Sequence, residues 1–329
     1  MIILTKTTNF KKTYKYLPDP PTDIKVLIEP IELYDVQDST KLQCYITCPR
    51  LYFFQYILGY RQDQPNHDLV FGSAWHKAKE TLFNKGYSSE TVQLAFEDFL
   101  KEYRKSFSEE TDMDHGGKSP ANAEQALYEY VLQFKEDDFK VFHTEVGITA
   151  PIGKDRVIYG KKDSLMQDHR GIFSLETKTS GAAWSYLGES FMIKFQTCAY
   201  THFMNCYYDP KDVYGIIIDL SIFRKPNKQG ISQNDHNRIP CPKNPEHLSS
   251  WLYETNIIFD RLENDFDMLY NEKENQPFMK SFMRNRESCV KYNRICEFWD
   301  ICHAWNNPLQ HLNEIPIGYK IEHWDCRKE

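Results

Sequence analysis

Glu176, Thr177 and Lys178 place a carboxylate and an ammonium two residues apart; Asp163, in Tyr-Gly-Lys-Lys-Asp, lies upstream, and Gln196 and Tyr200 follow four residues apart. If 172–178 is a strand, side chains alternate between its faces, so Glu176 and Lys178 share one surface and Thr177 points the other way. Asp163 is one hairpin upstream, where an adjacent antiparallel strand brings its carboxylate beside Glu176. Two such carboxylates repel unless a cation lies between them, and Mg²⁺ or Mn²⁺, which take oxygen ligands and retain waters, is the natural occupant. Further upstream, His76 and Glu80 in Gly-Ser-Ala-Trp-His-Lys-Ala-Lys-Glu share one face of a helix, with Gly72 one turn before His76. Each feature has an ordinary alternative. A Glu-x-Lys is usually a solvated strand face, an Asp after two lysines a turn residue, a helical His a satisfied structural group, and Gln196 with Tyr200 the border of a buried stripe.

These side chains meet only if the surrounding elements form. Residues 1–37 carry a proline cluster and read as an extended lead-in with one strand at 24–28. Asp38, Ser39 and Thr40 offer capping oxygens before an apolar, aromatic helix running to about 58, and a second helix covers 70–83. Charged helical segments at 90–107 and 121–142, separated by a Gly/Asp/His-rich loop at 111–120, read as a helical insert over about 86–142. The period then changes to alternation at 145–150, 156–165 and 172–178, a meander. A helix at 189–207 with a stripe of Met192, Phe195, Ala199, Phe203 and Cys206 follows, then an interior strand at 213–220, a polar loop or hairpin at 224–245 and a long amphipathic helix at 249–271. The loop at 111–120 and the segment at 224–245 are expected to wall the two sides of a site centred on the meander. The expected division is 1–37 lead-in, 38–288 main domain and 289–329 cysteine-rich tail.

Hydrophobic residues make up 41% of 329 and aromatic ones 15%, which excludes a disordered chain and a coiled coil. Forty Lys plus Arg against 47 Asp plus Glu leave a formal charge of −7, without the basic excess of a non-specific nucleic-acid binder. Carboxylates that hold cations lower net charge while creating a site that attracts phosphate. No apolar run approaches the ~20 residues of a membrane span, and no signal peptide opens the chain, so a cytoplasmic location is expected. Nine cysteines are too few for a disulfide scaffold in a chain this long. Cys289, Cys296 and Cys302 cluster within fourteen residues; such a trio is either ordinary buried packing or a zinc site completed by a ligand such as His303.

Taken in order, Gly72-x-x-x-His76-x-x-x-Glu80, Gly160-x-x-Asp163, Glu176-x-Lys178 and Gln196-x-x-x-Tyr200 resemble the RecB-type branch of the PD-(D/E)XK nuclease superfamily. Cys48-Pro49-Arg50 followed by Tyr52, Phe53 and Phe54 strengthens the likeness, which runs from about 39 to 302. The resemblance implies an α/β, restriction-endonuclease-like core, a mixed central sheet flanked by helices, with a helical insert and a cysteine-rich tail. It also implies a metal-dependent DNA exonuclease, acting on single-stranded ends in recombination, repair or replication, of viral or bacterial origin. His76, Asp163, Glu176 and the Thr177 carbonyl would bind the metal, Mg²⁺ or Mn²⁺. Lys178 would orient the attacking water, Gln196 and Tyr200 would fix a phosphate or support the metal shell, and Glu80 would act at longer range. The iron–sulfur members, which include CRISPR-adaptation exonucleases, imply a [4Fe–4S] cluster on Cys48, Cys289, Cys296 and Cys302. The spacing departs from theirs, with six residues in the first gap where two are usual. Zinc or a clusterless site therefore stays open, and Cys44 is a rival ligand. DNA is the expected partner, and the lack of a P-loop motif puts any helicase or recombination motor in a separate protein. The competing class is a non-catalytic nucleic-acid-binding or assembly subunit with a zinc-stapled tail.

Overall fold

Asp38 opens the first helix as its N-cap, accepting the Lys41 N–H at 2.7 Å. The computed structural model describes residues 36–325 apart from 113, 154–155, 182–185, 230–231 and 292–293, so the expected strand at 24–28 lies outside the described residues. Helix α1, Ser39–Thr47, stops at Cys48 (φ −162°, ψ 115°), because a residue before proline is driven out of the helical region. The chain restarts as α2, Pro49–Tyr52, with proline in the first turn, and passes into a π-helical turn at Phe53–Ile57. The single helix expected here is therefore broken at Cys48.

After β1 (Tyr60–Gln62) come α3 (His67–Lys85), α4 (Ser89–Tyr103) and α5 (Pro120–Gln133), each opened by a side-chain cap, from Asn66, Ser88 and Ser119 in turn. Then follow β2 (Lys140–Gly153), β3 (Arg156–Asp168) and β4 (Gly171–Ser180). A two-helix crossover, α6 (Leu187–Met192) and α7 (Phe195–Tyr207), leads to β5 (Val213–Ile222) and β6 (Asp235–Cys241). The long α8 (Pro245–Asn271) precedes a tail with the short hairpin β7 (Val290–Lys291) and β8 (Arg294–Ile295), α9 (Trp299–Ala304), and β9 (Tyr319–Ile321), which pairs with β1.

The central sheet has the order β2-β3-β4-β5-β6; β4 and β5 are parallel and the other pairs antiparallel. The parallel pair requires a crossover, and the α6–α7 unit supplies it. The crossover is two helices rather than one, broken at Ile193–Lys194, and Met192 is 40% exposed rather than part of the buried stripe. On one sheet face Ile148, Leu165, Ile216 and Ile218 pack against Leu42, Phe203 and Trp251; on the other Met166, Phe173 and Ile217 pack against Phe71, Trp75 and Leu127. Helices thus cover both faces of a mixed sheet, a three-layer α/β arrangement.

Candidate metal centre

Cross-strand register brings the acidic groups together. On β2 and β3, Thr144 faces Ser164 and Val146 faces Lys162, so Glu145 falls directly opposite Asp163. Glu145 adopts φ 52°, a left-handed conformation that costs energy for any residue with a Cβ, and the ladder is interrupted there. On its other edge β3 pairs with β4 from Asp168 opposite Gly171 to Leu165 opposite Ser174, and the backbone ladder then ends. Side chains replace it. Ser164 Oγ donates to the Leu175 carbonyl at 2.8 Å, Ser174 Oγ donates to the Ser164 carbonyl at 2.9 Å, and the Thr177 N–H donates to Asp163 Oδ2 at 2.7 Å. The two strands fork, and the Asp163 carboxylate sits in the fork.

Helix α3 adds the imidazole. His76 Nδ1 lies 3.4 Å from Asp163 Oδ1, and His76, Glu145 and Asp163 each bring one ligand atom within 4.8 Å of the others. One turn earlier, a Cβ on Gly72 would touch Thr179 Oγ1 at 3.8 Å, so the helix runs close over the end of β4. Glu80 accepts from Thr144 Oγ1 at 3.4 Å and pairs with Lys77 at 3.0 Å, tying α3 to β2 beside Glu145.

Electrostatics separate the two carboxylates predicted from sequence. Burial opposes charge on Asp163, but His76, Lys178 and the Thr177 N–H hold its carboxyl below the usual range. Burial likewise opposes charge on His76, and Asp163 more than offsets it, so the imidazole is raised. Glu176, 1% exposed, is pushed up to about 7 by burial and by the nearby Asp163. Ser174 Oγ donates to its Oε1, while Oε2 has no hydrogen-bond partner among the described residues. A buried carboxylate oxygen without a partner is costly. One imidazole, the carboxylates of Glu145 and Asp163 and this orphaned oxygen of Glu176 form a hard O/N donor set that fits a divalent cation of the Mg²⁺ or Mn²⁺ type.

Lys178 is close enough to influence His76, Asp163 and Glu176, and Thr177 offers its N–H to the site while its side chain is buried. Tyr200 OH donates to the Lys161 carbonyl at 2.7 Å and accepts from Gln196 Nε2 at 3.1 Å, so this pair braces β3 just before Asp163. A Cβ at Gly160 would clash with the Phe203 ring, so only glycine lets α7 pack this closely on β3. Sequence reasoning missed Glu145. Its signal is the β2–β3 turn, where Gly153 faces Arg156: counting back along the two strands, allowing for the adjacent register shift, pairs 145 with 163.

Residues 39–303 match the PD-(D/E)XK nuclease superfamily. The chain belongs to this superfamily. Its five-stranded mixed sheet flanked by helices is the restriction-endonuclease-like core of a PD-(D/E)XK protein. Membership marks it as a metal-dependent nuclease, with DNA as the implied substrate. PD-(D/E)XK nucleases typically use Mg²⁺ or Mn²⁺, in keeping with the donor set described above. No curated protein matches the chain. It is similar to the solved structure described as "Crystal structure of SSO0001", at 15% identity over 71% of this chain and 84% of that one, with a TM-score of 0.26.

Cys48 lies between α1 and α2, and Cys289, Cys296 and Cys302 lie in the segment after α8. Cys48 Sγ accepts the Asn285 N–H at 3.3 Å, and the Cys296 N–H donates to the Cys289 carbonyl at 2.8 Å. The buried Arg50 donates through Nε to the Phe282 carbonyl at 3.0 Å, fastening α2 to the segment that follows α8. Burial raises the Cys296 and Cys302 thiols, and both also feel Cys48. Burial raises Cys44 as well, with Cys48 and Cys296 nearby. Among the described residues no three sulfurs lie within 4.8 Å of one another. The loop at 111–120 and the segment after β5 do not flank the site from opposite sides. A Cβ on Gly117 would meet Phe223 and Arg224 backbone within 2.7 Å, so the two segments pack together as one wall. Among the described residues no helix is long and apolar enough to cross a membrane.

Proposed function

We propose that this chain is a RecB-type exonuclease that degrades DNA from single-stranded ends in recombination, repair or replication. The observation that carries the reading is the fork between β3 and β4, where His76, Glu145 and Asp163 converge beside the orphaned oxygen of Glu176. His76, Asp163, Glu176 and the Thr177 carbonyl, joined by Glu145, are the residues to hold Mg²⁺ or Mn²⁺. When bound, the ion lowers the pKa of water and polarises a phosphate oxygen. The chain's own groups do the remaining work. Thr177 N–H and His76 orient the Asp163 carboxylate, Lys178 aligns the attacking water and stabilises negative charge developing on the phosphoryl oxygens, and Tyr200 with Gln196 holds the β3 backbone still.

Support for an unpaired strand comes from the crossover between β4 and β5. Lys194, at the break between α6 and α7, is lowered by burial and by Lys178 beside it, so this break borders the site with positive charge. Tyr186, 76% exposed at the entry to α6, offers a stacking face of the kind that holds unpaired bases. Cys48, Cys289, Cys296 and Cys302 are assigned to a [4Fe–4S] cluster that joins α2 to the tail, a reading supported by the Cys48–Asn285 contact and the shared electrostatics of the thiols. A separate helicase or recombination protein supplies unwinding. The exonuclease assignment is tested with end-labelled linear DNA and closed circular DNA under Mg²⁺ or Mn²⁺. Short labelled products from linear DNA with the circle left intact are expected; nicking of the circle at a matching rate would reject it.

A further inference from the structure

The long gap between Cys289 and Cys296 is filled by the β7–β8 hairpin, closed at its base by the Cys296 N–H donating to the Cys289 carbonyl at 2.8 Å. Val290 faces Ile295 and Lys291 faces Arg294, and all four are exposed. Like charges directly opposite one another on paired strands are destabilising, and an exposed apolar pair adds nothing to the core. Folding alone therefore gives no reason for these side chains. The charge is also concentrated: residues 280–294 carry Lys280, Arg284, Arg286, Lys291 and Arg294 against Glu287 alone, in a chain with 47 acidic and 40 basic residues.

One contact relates the hairpin to the metal centre. The Arg294 side chain, 79% exposed, reaches Asp68 Oδ2 at 3.6 Å in the first turn of α3, and Asp68 Oδ1 accepts from Lys118 Nζ at 2.8 Å. A single carboxylate shared by two cations leaves positive charge over at this point. Asp68, Gly72 and His76 follow one another four residues apart along α3, near one face. Eight helical residues rise about 12 Å. That length corresponds to about three or four nucleotides of a stacked strand.

We propose that the β7–β8 hairpin is a DNA contact separate from the metal centre, in which Lys291 and Arg294 hold backbone phosphates of the strand being degraded. The inference rests on the nuclease reading above. A phosphodiester between the two cations turns their repulsion into shared attraction, and phosphate contacts position a strand without reading its sequence. The test measures binding of a fluorescent single-stranded oligonucleotide to the full chain in EDTA over a range of salt, beside cleavage of the same DNA with Mg²⁺. Lys291→Gln/Arg294→Gln is expected to bind about tenfold more weakly or worse, and to lose about 1.4 from the slope of log affinity against log salt, two contacts at about 0.7 each. Lys291→Arg/Arg294→Lys, which keeps both charges, is expected to bind as wild type does. Lys135→Gln/Lys320→Gln, which removes two exposed charges elsewhere, is expected to stay within about twofold of wild type. A folded hairpin variant with wild-type affinity and slope, or an equal loss in the Lys135/Lys320 variant, would overturn the inference and leave the nuclease reading standing if the wild type cleaves. A wild type that cleaves but does not bind in EDTA would also overturn the inference alone; one that neither binds nor cleaves would overturn both. If the double variant does not fold, Arg294→Gln decides, with half that change in slope expected.

Discussion

Asp163→Asn is expected to lower the initial rate of DNA cleavage under Mg²⁺ by about a thousandfold or more while leaving the melting temperature near wild type. The amide keeps the shape of the carboxylate, and its oxygen can still accept the Thr177 N–H that closes the fork. What is lost is the negative charge, which faces His76 Nδ1 at 3.4 Å and belongs to the proposed ligand set. Lys178→Met is expected to be comparably damaging, because nothing else is assigned to orient the water. Rates measured on the same folded preparations check both. A variant retaining more than a tenth of wild-type activity would remove that residue from the site.

Protein purified without oxygen is expected to be brown and to contain about four irons per chain, with Cys48→Ala falling below about one. The expectation follows from a clasp between segments far apart in sequence: the Cys48 thiol meets Asn285 and the Arg50 guanidinium meets Phe282. Losing the cluster should also lower the melting temperature, because metal-site binding energy is folding energy. Replacing Cys198, Cys206 or Cys241, which are buried elsewhere in the core, should leave the iron content unchanged. Stoichiometric zinc with no iron would reassign the tail.

Much of the site was legible because strand alternation and helical spacing are local rules. Glu176 and Lys178, two apart on a strand, and His76 on a helix with Gly72 one turn away needed only these. Glu145 was not legible, since its place opposite Asp163 depends on a register set by the turn at Gly153 and Arg156 and on a left-handed backbone that no residue type announces. The helix expected over 121–142 ends at Gln133, because residues from Lys140 onward are drawn into the sheet, where Lys140 faces Gln167 and Val141 faces Met166. Tertiary pairing there overrides helical propensity. The break at Cys48 follows from Pro49, whereas the break at Ile193–Lys194 has no glycine or proline to mark it. The resemblance assigns Tyr200 to a phosphate or the metal shell; its hydroxyl is bonded to the β3 backbone, a contact that only the packing of α7 over Gly160 reveals.

A divalent ion at the β3–β4 fork is expected to drive hydrolysis of DNA. The most direct test is digestion of end-labelled linear DNA by the purified wild-type chain, first with Mg²⁺ or Mn²⁺, then with excess EDTA, then with the ion restored. Cleavage that stops on chelation and returns with added metal is the predicted result. Cleavage undiminished by EDTA would contradict it.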